Sequence, residues 1–319
     1  MAKRYELRSS KPLAPLERLT SALVPVEKDE ADRSLVPVVE VLSLDEAHDA
    51  PFMPPEGQEA IEVLAAAKSN LVEVFPDFVV GSFAVPDHRD TAEPPALFSF
   101  YLDKQHLVFM EAEHMAADLL EKMADNGVMR SLSTAHCLYL FMKMLLMNDF
   151  IFLARLEDNM EDLEEAMLAR QVDVSTLRIM NYRRQTIGLG MYYQQIGAMA
   201  DILGDDENKL LSRGEARSFD RIASFADRLT ARAEALKEYS MQLHELHQTR
   251  ISLKQNSVMQ VLTIVTVLFA PLTLVTGWFG MNLAVMPGLD WPWLWALLIV
   301  LAVAFSSALL AFFHRKGWL

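Results

Sequence analysis

The sequence predicts an α+β membrane protein: an N-terminal α/β cytoplasmic domain, a long helical stalk and two C-terminal transmembrane helices. Three observations carry that prediction. Ser257–Phe279 and Trp291–Phe313 each run 23 residues without a formal charge, and at about 1.5 Å per residue a helix of that length crosses the hydrocarbon core of a bilayer. Glu215–Ala270 contains neither glycine nor proline across 56 residues, which permits one helix of about 84 Å. Eleven of the 14 prolines lie at or before Pro95 and none falls between Ala96 and Ala270, so a turn-rich part precedes a helical one.

Taken in order, residues 1–33, with Pro12, Pro15 and Pro25, read as a loose leader that lacks the apolar segment of a cleavable signal peptide. Residues 34–125 read as the α/β domain. Leu35–Leu42 and Phe78–Val85 are β-branched and aromatic runs bounded by turn formers, hence strands. Ala96–Met110 folds as a hairpin around Asp103-Lys104-Gln105, and Glu56–Val74 reads as the helix between the strands.

Residues 126–254 read as a helical bundle and stalk. Ser131–Ala154 is apolar and Met-rich, but Lys143, Asn148 and Asp149 interrupt it, so it is expected as a buried bundle helix and not a third span. In Leu156–Leu168, Leu156, Met160, Leu163 and Met167 form one stripe, and the six acids around them form a solvated face. Ile222, Leu229, Leu236 and Leu243 then keep a seven-residue repeat that calls for partner helices, with Arg232 and Arg250 as polar interruptions. A rigid rod of this kind, continuous with a membrane crossing, is expected to transmit tilt.

The remaining limits are 255–282 for the first crossing, 283–290 for an external loop, 291–313 for the second crossing and 314–319 for a basic tail. Stepping by three and four, Asn256, Met259, Thr263, Thr266, Ala270, Thr273 and Gly277 share one polar or small face of the first crossing, while Val258, Val261, Val265, Leu268, Leu272 and Val275 share an apolar one. Several copies of the polar face around an axis could enclose water. Alternatively, the threonines bond back to their own carbonyls four residues earlier, which needs no pore. Trp291, Trp293 and Trp295 anchor the second crossing at an interface. Arg250 and Lys254 before the first crossing and Arg315 and Lys316 after the second, with no Lys or Arg between the crossings, put both ends in the cytoplasm.

The formal charge of −14 disfavours nucleic acid and anionic lipid as partners and suits cations, though solubility alone also accounts for it. The single cysteine, Cys137, excludes an internal disulfide. No phosphate-binding G-x-x-x-x-G-K-[ST] loop is present, and Gly188-Leu189-Gly190 lacks the strand and third glycine of a dinucleotide site. His244 and His247 flank Glu245 at a spacing that can bind zinc, but the second histidine of H-E-x-x-H is misplaced, so a solvated helix face is expected. No enzyme chemistry and no resident cofactor are expected.

Gly280, Met281 and Asn282 close the first crossing. With Asn256, Val261-Leu262-Thr263-Ile264, Pro271-Leu272-Thr273, Gly277, Met286-Pro287 and Lys316-Gly317-Trp318-Leu319, they give the chain a resemblance to the CorA family of magnesium channels and transporters over about 64 C-terminal residues. The resemblance implies a homopentamer in the cell's inner membrane, with divalent cations as its passengers: Mg²⁺ first, Co²⁺ and Ni²⁺ possible. It implies a G-M-N selectivity motif at Gly280, Met281 and Asn282, a path lined by Asn256, Met259, Leu262, Thr266, Ala270, Thr273 and Gly277, and an external loop with Met286, Pro287 and Asp290. It also implies closure by cytoplasmic Mg²⁺ held between subunits by acids, for which Asp220 and Asp227 are the candidates. Two positions depart from the family pattern. Gly288 stands where the loop usually has glutamate, a loss also seen in the zinc-transporting branch similar to ZntB, and Ala270 stands where a bulky apolar residue usually precedes the proline. A proton-coupled Zn²⁺ transporter and a non-transporting membrane-anchored sensor are the alternative expectations.

Overall fold

The computed structural model of the protein describes residues 3–7, 23–26, 37–43, 46–47, 50–87, 93–126, 133–169, 176–206, 209–281 and 293–318. The chain divides into two compact units, Met1–Leu243 and His244–Leu319.

The first unit is built on a seven-stranded sheet: β1 (Lys3–Leu7), β2 (Leu23–Val26), β3 (Val38–Leu42), β4 (Leu71–Val74), β5 (Val79–Val85), β6 (Ala96–Leu102) and β7 (His106–Glu111), in the order β2-β1-β3-β7-β6-β5-β4. Only β3 and β7 pair in parallel; the other neighbours are antiparallel. The expected hairpin is β6–β7, closed by Asp103, whose Oδ1 accepts from the amides of Gln105 at 2.7 Å and His106 at 2.6 Å. β5 is buried along its whole length. Its Gly81 is obligatory: a Cβ there would sit 2.3 Å from the Phe100 ring and 2.8 Å from the carbonyl oxygen of Leu71.

Helices cover both faces of the sheet. On one, α1 (Pro55–Ala67) buries Ala60, Ile61 and Leu64 against Val80, Tyr101, Val108 and Met110. On the other, Phe141 of α3 (Thr134–Met147) packs on Phe83, Phe98 and Phe109, the last at a centroid distance of 4.4 Å. Such aromatic contacts contribute about 0.5–1.5 kcal/mol each beyond the area they bury. Between them in sequence, α2 (Met115–Asp125) begins where the Glu111 carboxylate accepts from the amides of Ala116 and Ala117 at 2.6 and 3.1 Å, satisfying donors that have no partner inside the helix.

Two expectations for this unit are corrected. Residues 1–33 are not wholly a loose leader, since β1 and β2 lie within them. Pro25 fits because β2 is an edge strand, where a residue without an N–H leaves no central ladder bond unmade. The helix expected over Glu56–Val74 ends at Ala67. Lys68 takes the left-handed conformation, with φ 50°, and 71–74 form the opposite edge strand, β4.

The bundle comprises α3, α4 (Asp149–Leu168), α5 (Thr176–Asp205) and the part of α6 up to Leu243. A break at Asn148 separates α3, 14 residues long, from α4. Thr134–Leu168 is long and apolar enough in total to cross a membrane, but half of its most apolar window is buried in the chain's own fold. α6 runs from Arg213 to Phe279, 67 residues, passing through Pro271. Its start is set by a reciprocal cap, in which Ser212 Oγ accepts from the Glu215 amide at 3.3 Å and Glu215 Oε2 accepts from the Ser212 amide at 2.7 Å. α5 approaches α6 through glycines seven residues apart: Gly190 faces Ala233, Gly197 faces Ala226, and Gly204 faces Asp220.

The second unit holds the rest of α6 and α7 (Leu294–Arg315). Both helices are long and apolar enough to cross a membrane, with only 6% of the most apolar window of each buried.

Candidate functional site

The polar face of α6 in the second unit is the first part of the site. Asn256, Met259, Leu262, Thr266, Ala270, Thr273 and Gly277 are all exposed. Thr263, Thr266 and Thr273 each donate their hydroxyl hydrogen to the carbonyl four residues earlier, at 2.8 Å in every case. Thr276 donates to Thr273 at 3.1 Å. Back-bonding thus occurs in this chain. A hydroxyl bonded in this way has spent its one hydrogen and turns only acceptor lone pairs outward.

The opposite face meets α7. Pro271, Leu272, Val275 and Phe279 of α6 and Leu298, Ile299, Ala302 and Phe305 of α7 line an apolar cleft of about 430 Å³, with Thr276, Gly280 and Trp295 also on its wall. None of the seven residues expected on the path lines this cleft. Leu262 departs from its expected neighbours in another way, because it borders a groove with Ser257, Val258, Val261 and Val265 on the apolar side.

At the end of α6 the helix tightens: the Gly280 amide bonds to Thr276 O at 2.9 Å, and the Met281 amide reaches Trp278 O at 3.4 Å. A Cβ on Gly280 would stand 3.1 Å from the Thr276 carbonyl oxygen, which favours glycine here. Met281 is half exposed. Asn282, Met286, Pro287 and Asp290 lie outside the described residues.

The acids expected to regulate lie in the first unit. Asp220 lies against Gly204, where an added Cβ would be 2.4 Å from its Oδ1, and Asp227 lies near Gly197. They share this place with Asp201 and Asp205, which the sequence reading missed. Partial burial, followed by the charges of Asp227, Asp205 and Asp220, raises the Asp201 carboxyl above its ordinary value. The seven-residue glycine spacing on α5 was the signal that could have located these partners. Among the described residues, no group of three or more His, Cys, Asp or Glu is arranged to hold a metal ion. Cys137 is fully buried, and burial pushes its thiol up to about 12, so it is inert.

Residues 56–315 match the family described as CorA-like Mg²⁺ transporter protein. The chain belongs to the CorA family. It is 25% identical over 195 residues to the cobalt/magnesium transport protein CorA of Thermotoga maritima, covering 61% of this chain and 56% of that one. Against the magnesium transport protein CorA of Wolinella succinogenes, identity is 35% over 77 residues, 24% of each chain. The CorA-family chain thus spans little more than half the length of the curated relatives it matches most extensively. In fold, it resembles the CorA magnesium transporter of Methanocaldococcus jannaschii with a TM-score of 0.79 at 18% identity, covering 100% of this chain and 99% of that one. The cytoplasmic domain of ZntB from Vibrio parahaemolyticus gives a TM-score of 0.59 at 12% identity, over 80% of this chain and 97% of that one.

Proposed function

We propose that the chain is the subunit of a homopentameric divalent-cation channel of the cell's inner membrane, with both termini cytoplasmic. Mg²⁺ is its main passenger, and Co²⁺ and Ni²⁺ pass as well. The observation that carries the reading is the two-sided character of α6: α7 meets the outer part of its apolar side at Pro271, Leu272, Val275 and Phe279, and the cleft between them includes none of Asn256, Thr266, Thr273 and Gly277. The back-bonded threonines are satisfied inside their own helix and do not by themselves require water. Together with the Asn256 amide they make a face suited to an aqueous lining, which copies turned inward around an axis would enclose.

The chemistry suits a hydrated ion. Mg²⁺ dehydrates reluctantly and keeps an octahedral shell of waters, whose hydrogens point outward. Back-bonded threonines offer those hydrogens acceptor lone pairs and no competing donor. Asn282, from five copies, supplies a collar of amide oxygens at the outer mouth, neutral enough to let the ion leave. Gly280 allows the tight helix end before it, and Met281 packs as a prop. Met286, Pro287 and Asp290 shape the approach.

Asp220 and Asp227 act as cytoplasmic sensors. Their repulsion with Asp201 and Asp205 is relieved when Mg²⁺ bridges them to acids of a neighbouring copy, favouring the closed state in a replete cell. In this reading Mg²⁺ is substrate and regulator, and no resident cofactor is required.

The test is metal flux into vesicles holding the purified protein, comparing Mg²⁺, Co²⁺, Ni²⁺ and Zn²⁺ at two external pH values. Mg²⁺ flux that Asn282→Ala reduces supports the reading. Proton-coupled Zn²⁺ transport is the second reading, favoured by Gly288 in place of the loop glutamate and by the fold likeness to the ZntB domain. It predicts zinc flux that rises with acid and ignores Mg²⁺. Absence of any flux, with Asn282→Ala silent in cells, would leave a membrane-anchored sensor.

A further inference from the structure

We infer that the part of α6 just after Lys254 seats an anionic phospholipid, with the phosphate between Arg250 and Lys254 and one acyl chain along Val258, Val261 and Val265. The inference rests on the membrane placement of α6 proposed above, and it takes Leu262 for the groove and not for the cation path.

Charge is the first observation. The chain as a whole is strongly acidic, yet residues 244–319 carry four bases, Arg250, Lys254, Arg315 and Lys316, against two acids, Glu245 and Asp290. The whole-chain charge that argues against anionic lipid therefore belongs to the first unit. Position is the second. Arg250, Lys254, Val258, Val261 and Val265 follow one another at steps of four, four, three and four on the uninterrupted helix, so the two bases head the same stripe that the valines continue.

Shape is the third. Ser257, Val258, Val261, Leu262 and Val265 border a groove of about 360 Å³. Val258 and Val261 stay 63% and 58% exposed while Ile264 beside them is buried, so packing within the chain leaves this strip of the apolar face uncovered. A basic head joined to an apolar trough is the complement of a lipid with a phosphate and a hydrocarbon tail.

A second copy of the chain fits less well. Its helix would take Arg250 and Lys254 out of water together with the valines, and no acid occurs between Leu246 and Leu289, nor anywhere in α7, to pair with them. A phosphate carries its own charge to the site.

The experiment uses the full chain, purified from membranes and equilibrated in detergent with equal amounts of phosphatidylglycerol and phosphatidylcholine, with retained lipid counted by native mass spectrometry. Phosphatidylglycerol is expected to be retained in clear excess, and Arg250→Gln and Lys254→Gln each to reduce that preference about fivefold. Val261→Trp, which fills the groove, is expected to lower retention of lipid while the bases remain, and it serves where the charge variants fail to assemble. Equal retention of the two lipids, or variants that retain phosphatidylglycerol as the parent does, would overturn the inference. Loss of retained lipid with a change in copy number for Val261→Trp would assign the groove to a second copy, also against it. A chain that never enters the membrane fraction would instead refute the placement on which the inference rests.

Discussion

The guanidinium of Arg232 on α6 pairs with the carboxylate of Glu157 on α4, and one heptad further on the Tyr239 hydroxyl donates to Glu164; both pairs are separated by 75 residues in sequence. The same offset twice fixes the register of two parallel helices. It also explains why a charged residue interrupts the apolar repeat of α6: Arg232 reaches the acidic run of α4 and lies 5.1 Å over the Phe150 ring. Both partners of the ion pair remain about one third exposed. Glu157→Gln is therefore expected to cost no more than about 1 kcal/mol, less at high salt, and a double-mutant cycle with Arg232→Gln in thermal unfolding measures it.

Two glycines that look alike in sequence should respond in opposite ways to alanine. Gly81→Ala drives a methyl into the Phe100 ring and a backbone oxygen, and a loss of about 1–3 kcal/mol is expected. Gly188→Ala meets nothing within 4 Å on the helix α5, so a gain of about 0.5–1 kcal/mol is expected. Unfolding midpoints of the two variants check both.

The parts that were legible from sequence were those fixed locally. The β6–β7 hairpin carries its own turn at Asp103, and α6 follows from a long stretch without a breaker. The stretches that were misread depend on distant partners. β1 and β2 are short and exist as strands only because β3, more than ten residues further on, pairs with β1, while the prolines between them argued for a loose chain. β4 was absorbed into a helix because no glycine or proline stands between Ala67 and Leu71, the weaker turn signal of Ser69 and Asn70 was passed over, and the left-handed backbone falls on Lys68, a residue type that does not announce it. At the site, the two faces of α6 were visible as periodicity. The grouping of Asp201 and Asp205 with Asp220 and Asp227 required the antiparallel fit of α5 on α6.

Acid should weaken the hairpin end of the sheet. Burial pushes the Asp103 carboxyl up, but the His106 ring, 3.1 Å away, and the amides of Gln105 and His106 outweigh it and hold the carboxyl below its ordinary value. A group lowered in the folded state contributes stability above the unfolded carboxyl's value of about 3.9, and that contribution is lost as pH falls through the lower native value. Asp103→Asn is expected to be less stable than the parent near neutral pH, with the gap closing below about pH 4. Unfolding midpoints across that range give the comparison.

The path threonines should separate stability from transport. Among the described residues, Thr266 and Thr273 bond to carbonyls of their own helix, so Thr266→Val and Thr273→Val are expected to change stability by no more than about 1 kcal/mol. On the proposed function each removes a hydroxyl acceptor facing the ion path and puts a methyl group in its place, and a severalfold fall in flux into vesicles is expected. Unchanged flux would remove these hydroxyls from the path.

The central claim is that the threonine-bearing face of α6 encloses water in the assembled protein. Cys137 is fully buried, so single cysteines introduced on the crossing can be read against a silent background. The measurement is the labelling rate of Thr266→Cys and Thr273→Cys, against Leu268→Cys and Leu272→Cys, with a membrane-impermeant thiol reagent on the protein in sealed vesicles. Rapid labelling at 266 and 273, slowed by added Mg²⁺, with 268 and 272 unreactive, is the predicted result. Labelling at 268 and 272 with 266 and 273 protected would turn the polar face to lipid and contradict the account.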